Sequence, residues 1–203
     1  MIIEKWYNTI ISCDKVINLF ASTDFTVTII LKDYNDNPVI GEEVTADISG
    51  ISRSGKTDKN GVCNLIWQQI TITSFSYGIH VITCNDAKSF CRLTYDTGWQ
   101  NVSVATGYYG TVKYRQRNDT VEISGTFRNS AAVTPSNNVL LGSIPAKSAP
   151  KESVGAVMQG TNANTFHIEA KPNGDLVWKR YGTTSSGQCP KDAYLQFQLR
   201  YMI

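Results

Sequence analysis

The residues able to act as nucleophiles, proton carriers or metal ligands are few. Two histidines, His80 and His167, and five cysteines, Cys13, Cys63, Cys84, Cys91 and Cys189, are spread through 203 residues. No two cysteines stand in C-x-x-C spacing, and neither histidine falls where a zinc-finger pattern needs it. Cys84 follows His80 at a spacing that, on a strand, puts both on one face about 13 Å apart, too far for a nucleophile and its base. Both histidines read as strand residues. The motifs G-x-S-x-G, H-E-x-x-H, G-x-x-x-x-G-K-S/T and G-x-G-x-x-G are absent. Asp33, Asp36 and Asp58 lie near turn signals and lack the order of a calcium loop, which needs about six or more oxygens, so they read as turn formers. The carboxylates of the second half (Asp119, Glu122, Glu152, Glu169, Asp175, Asp192) are sparse and sit at turns or on outer strand faces. A glycoside-cleaving pair therefore ranks last among the readings. The chain reads as a non-enzyme with no cofactor and no metal.

Composition narrows the class. Charged residues are 18% of the chain and hydrophobic residues 41%, which excludes a disordered polymer. Thr, Ser, Asn and 15 Gly fill the difference and favour strands and turns. A net charge of +2 argues against a nucleic-acid partner bound through a strong basic face. No stretch approaches the roughly 18 apolar residues of a membrane span, so no membrane insertion is expected. The start, Met1-Ile2-Ile3-Glu4-Lys5-Trp6, shows no secretory signal. That leaves a cytosolic chain, a piece of a longer one, or a virion part released by lysis. The sequons at Asn101 and Asn118 read as chance.

Hydrophobicity alternates with a period of two. Phe25, Val27, Ile29 and Leu31, then Val121, Ile123, Gly125 and Phe127, then Leu195, Phe197, Leu199 and Tyr201 each face one way. Asn35-Asp36-Asn37-Pro38, Lys59-Asn60-Gly61, Arg117-Asn118-Asp119 and Pro172-Asn173-Gly174 supply turns between strands. Met1–Ser12 alone has some helical look. The expected fold class is all-β, with two β-sandwich domains covering 1–94 and 95–203 and joined by the turn-rich Tyr95-Asp96-Thr97-Gly98. Asn129–Asn138 reads as a loop, and Thr183-Thr184-Ser185-Ser186-Gly187 as a small-residue stretch before the last strand. Cys84 and Cys91 flank a short loop, and their spacing admits either a cross-strand disulfide or two free, partly buried thiols.

The first half carries Leu31-Lys32-Asp33-Tyr34-Asn35-Asp36-Asn37-Pro38-Val39, then Thr57-Asp58-Lys59-Asn60-Gly61 at a hairpin, then Tyr77-Gly78-Ile79-His80-Val81. It resembles the invasin-type, Ig-like module of surface adhesins and phage proteins. That resemblance implies a structural arm without chemistry of its own. Asp36 stands where that family usually has Gly, and Asp tolerates the left-handed backbone the turn needs.

The second half opens at Trp99. It continues through Tyr114-Arg115 and Val121-Glu122-Ile123-Ser124-Gly125, then Gly142-Ser143-Ile144-Pro145, Ile168 to Gly174, and Leu195 to Tyr201. This order is similar to the C-terminal head domain of phage tail-fibre and baseplate receptor-binding proteins. Ile144-Pro145-Ala146-Lys147 departs from the proline-edged loop of that family. The resemblance implies a jelly-roll-like head, a homotrimer, and a host cell-surface glycan as partner. Sugars stack on aromatic faces and bond to planar polar side chains. On that basis the candidate ligand residues are Tyr108 and Tyr109, set between Gly107 and Gly110, with Trp178, Arg180 and Tyr181. Each aromatic also has a packing reading, Trp178 as an inward strand residue and the tyrosines at a subunit interface. The implied localisation is a virion tail. A cell-surface adhesin fragment and a virion decoration or head-fibre protein are the alternatives.

Overall fold

Burying every second side chain is what makes a strand half of a layer, and the alternation builds two such layers in each half of this chain. The computed structural model describes residues 7–20, 24–48, 50–68, 77–84, 87–135, 138–182 and 187–203. It is all-β, and apart from strands it has only two single-turn 3-10 segments, Ala146–Ser148 and Thr161–Ala163, among the described residues. No helix there is long and apolar enough to cross a membrane.

The chain divides into two units, Met1–Asp96 and Thr97–Ile203. The first holds β1 (Tyr7–Cys13), β2 (Val16–Asn18), β3 (Phe25–Asp33), β4 (Glu43–Ile48), β5 (Ile51–Lys56), β6 (Val62–Trp67), β7 (Gly78–Cys84) and β8 (Ala87–Thr94). They form a sheet of order β1-β3-β6 and another of order β2-β8-β7-β4-β5. Val27, Ile29 and Leu31 from the first sheet meet Val44, Ala46, Ile48, Ile82 and Leu93 from the second in one buried core. The unit closes slightly past the expected boundary for a local reason. Tyr95 is buried in this core, and the Asn18 side-chain amide bonds both the N–H and the carbonyl of Asp96 at 2.9 Å.

The second unit holds β9 (Gln100–Val102), β10 (Tyr108–Arg117), β11 (Thr120–Asn129), β12 (Val139–Ser143), β13 (Val154–Gln159), β14 (Thr165–Ala170), β15 (Asp175–Tyr181) and β16 (Leu195–Met202). Its sheets have the orders β16-β11-β10-β9 and β12-β15-β14-β13. Phe127 sits where they meet. Its ring makes edge contacts with Phe166 and Trp178 of the facing sheet and with Phe197 and Tyr108 of its own, at centroid distances of 5.7–6.1 Å.

The turn residues act as the sequence suggests. Asp33 Oδ1 accepts hydrogen bonds from the N–H groups of Asn35 and Asn37, each at 2.9 Å, and Asp36 takes φ 68°. Asp58 Oδ1 likewise accepts from Asn60 and Val62, at 2.8 and 2.9 Å. The Asn37 side-chain amide, which donates to Asp33 Oδ2 at 3.1 Å, and then the N–H bonds hold the Asp33 carboxyl below its ordinary pKa, and the Val62 and Asn60 N–H groups do the same for Asp58. Gly61 is required outright, because at φ 73° a Cβ would lie 2.5 Å from the Leu31 carbonyl oxygen.

Two expectations are corrected. From Tyr7 onward the helical-looking Met1–Ser12 segment is part of strand β1, because its Thr and Ile residues pair along β3. Residues 1–6 lie outside the described residues. The Lys59-Asn60-Gly61 turn does not close a hairpin, since β5 and β6 belong to different sheets and the turn carries the chain across the sandwich. Of the two readings left open for Cys84 and Cys91, the structure has the free, buried thiols. In the β7–β8 register Cys84 pairs with Ala87 and Cys91 with His80, which sets the two residues about 13 Å apart along the hairpin. Ser136 and Asn137 of the expected loop, and Thr183 to Ser186, lie outside the described residues, although Val133 before them bridges to Cys189.

All five cysteines of the protein are free in the structure, and burial raises the thiols of Cys91 and Cys189 to about 11. A thiol assay without reductant is expected to count five thiols in denaturant, with most of them silent in the native protein. Three thiols in denaturant would show that a disulfide forms.

Candidate functional site

The five residues favoured from the sequence do not form one site. Trp178 is fully buried in β15 and Tyr181 is buried at its end, so neither can touch a ligand. The Trp178 indole N–H donates to the Tyr108 hydroxyl at 3.2 Å, and half-buried Tyr108 packs against Phe127 and Trp178. Burial raises the pKa of Tyr108 and of Tyr181. Both Trp178 and Tyr181 face inward although they are three residues apart. The cause is a bulge: Lys179 pairs with His167 and Tyr181 with Phe166, leaving Arg180 as the extra residue at φ 59°. Arg180 is exposed, and its N–H is bonded to the Pro135 carbonyl. Of the four aromatic candidates only Tyr109 is exposed. It is 44% exposed and donates to Asp192 Oδ1 at 2.5 Å, a bond that raises its pKa.

Tyr109 stands at one end of a different feature, the outer face of the β16-β11-β10-β9 sheet. The inward set of β10 (Val112, Tyr114, Gln116) is buried, and so is that of β16 (Leu195, Phe197, Leu199, Tyr201). The alternate residues therefore face outward, and the register aligns them in rows. Thr111, Thr126 and Gln196 make one row, and Asn101, Lys113, Ser124 and Gln198 the next. Arg115, Glu122 and Arg200 make a third. Neighbouring rows lie about 7 Å apart along the strands, and neighbouring residues in a row about 5 Å apart.

Trp99, just before β9, is 46% exposed. With Thr111, Lys113, Ser124, Gly125, Thr126 and Gln196 it lines a shallow depression of about 350 Å³. Gly125 belongs to the inward set, and close packing explains why it has no side chain. A Cβ there would lie 2.9 Å from the Thr111 carbonyl and from Val112 Cα. At the Tyr109 end, the Arg128 guanidinium lies 5.3 Å from the Tyr194 ring centroid and donates to the Asp192 carbonyl at 3.1 Å. The face thus offers an exposed indole, hydroxyls, a carboxamide and an ammonium in one depression. That set can stack on an apolar ring face and bond to several hydroxyls, and it lacks any nucleophile–base pair.

The other outer face of this unit holds a denser set of charges. Glu169 takes Lys171 Nζ at 2.8 Å and Lys179 Nζ at 3.2 Å, and chiefly the Lys171 bond lowers its pKa from 4.5 to about 2. His167 beside it has its pKa lowered, first by burial and then by Lys179. This cluster is internally satisfied at Glu169 and leaves little to bind with.

The sequence reading passed over Trp99, Lys113, Ser124, Thr111, Thr126 and Gln196, which line the depression. Their signal was present as the polar half of the same alternation that marked the core. No protein-family model matches the chain, and no curated protein matches it in sequence.

Core and surface aromatic residues separate in their effect on folding. Trp178→Ala is expected to cost about 3–5 kcal/mol of stability, and Trp99→Ala within about 0.5 kcal/mol of nothing. Denaturant unfolding of the two variants measures both. Equal losses would place Trp99 in the core as well.

Proposed function

We propose that this chain is a non-enzymatic attachment protein of a virion tail, bound to a host cell-surface glycan through the outer face of the β16-β11-β10-β9 sheet. On this reading the first unit is an invasin-type, Ig-like arm and the second a jelly-roll-like head, and three copies make the working assembly. The paired sheets around a core in each unit are compatible with both assignments. The observation that carries the binding role is Trp99, an exposed indole beside a depression walled by Thr111, Lys113, Ser124, Thr126 and Gln196. Exposing a large aromatic side chain gives up burial worth roughly 1.5–3 kcal/mol, so its position on a hydrogen-bonding floor favours a ligand that covers it.

This replaces the ligand set Tyr108, Trp178, Arg180 and Tyr181, and keeps Tyr109 at the margin of the site. Adsorption of the purified chain to a glycan array tests it. The wild type is expected to retain one glycan class, and Trp99→Ala to lose about tenfold or more in affinity. Retention unchanged by that substitution would remove the sheet face from the account. Light scattering tests the assembly, with three times the 22.5 kDa chain mass expected. A single-chain mass at every concentration would favour the adhesin reading.

A further inference from the structure

The net charge of +2 hides an uneven division. Residues 1–96 carry eight Lys and Arg against eleven Asp and Glu, and residues 97–203 carry eleven against six. In the second unit the excess gathers on the face just described. Lys113, Arg115, Arg117 and Arg128 occupy outward positions of β10 and β11, and Arg200 one of β16, against Glu122 alone on those strands. Glu122 meets Arg200 only loosely, at 3.7 Å, with the Arg200 side chain 69% exposed. Lys113 is exposed at the depression's wall and makes no ion pair among the described residues.

We infer that the ligand of this face is an acidic glycan, one whose sugars carry carboxylate or phosphate groups. The inference rests on the glycan reading above and narrows it. A sugar stacked on Trp99 would bring its acidic substituent within reach of Lys113, one strand inward from β9 and bordering the same depression. Arg115 and Arg200, in the adjacent row, would meet the next residue of the chain. An uncharged sugar would gain nothing from this excess of cations. A single-stranded nucleic acid also pairs bases with aromatic rings and phosphates with cations. The floor of Thr111, Ser124, Thr126 and Gln196 favours the sugar, because four short hydrogen-bonding groups suit a ring of hydroxyls better than a stacked base.

Calorimetric titration of the full chain decides between these ligands, using an oligogalacturonate, a neutral galacto-oligosaccharide, a glycerol phosphate oligomer and a single-stranded oligonucleotide. The expected result is that at least one acidic oligomer binds more tightly than the neutral sugar. Its affinity falls several-fold as salt rises from about 50 to about 200 mM, and Lys113→Gln weakens it about tenfold. The uronate and phosphate arms tell which acidic group is read. Equal binding of acidic and neutral sugars without salt dependence overturns this inference and leaves the glycan reading standing. Binding of the oligonucleotide above every sugar overturns the inference in favour of a nucleic-acid surface. Binding of none of them overturns both the inference and the glycan reading.

Discussion

The second unit depends on one aromatic contact set. Phe127 from β11 lies between Phe197 of its own sheet and Phe166 and Trp178 of the facing sheet, with ring centroids 5.7–6.1 Å away. Each such pair adds about 0.5–1.5 kcal/mol beyond the burial of its area. The indole N–H of Trp178 would be costly to bury alone, and the Tyr108 hydroxyl accepts it. This knot fixes which face of β10, β11 and β16 points inward. Because side chains alternate, it also fixes which residues are presented to solvent.

The proposed binding face follows from that constraint. Once Val112, Ile123, Phe127 and Phe197 are committed to the core, the opposite surface is set by the intervening Thr111, Lys113, Ser124, Thr126 and Gln196. Every one of these sits on a strand with partners on at least one side, so the floor is held in place before any ligand arrives. Binding to such a floor costs little ordering entropy compared with a loop site. On the opposite sheet the charges are paired with one another, with Glu169 held by Lys171 and Lys179.

Much of the fold was legible because period-two patterning is a local signal. The inward sets of β3, β11 and β16 stand at the positions the alternation marks, and the Asp36 turn adopts the left-handed backbone its sequence tolerates. Legibility stopped where geometry is not local. The bulge at Arg180 turns Tyr181 inward, and a simple alternation from Trp178 misses it. The Asn60-Gly61 turn looks like a hairpin, and only the sheet order reveals a crossing. The proposed site was hidden for the same reason. Its rows join Lys113 to Ser124 and Gln198, and Thr111 to Thr126 and Gln196, so they exist only once strand register is known. A sequence search for adjacent aromatics finds Tyr108-Tyr109 and Trp178 to Tyr181 and passes over the isolated Trp99.

On the proposed function Trp99, and not Trp178, meets the ligand. The indole N–H resonances report this directly in a nitrogen-15 NMR titration of the full chain with an acidic oligosaccharide, once Trp99→Phe and Trp178→Phe have assigned the two peaks. The Trp99 resonance is expected to move as sugar is added while that of Trp178, buried and bonded to Tyr108, stays in place. Movement of Trp178 with Trp99 unmoved would contradict it.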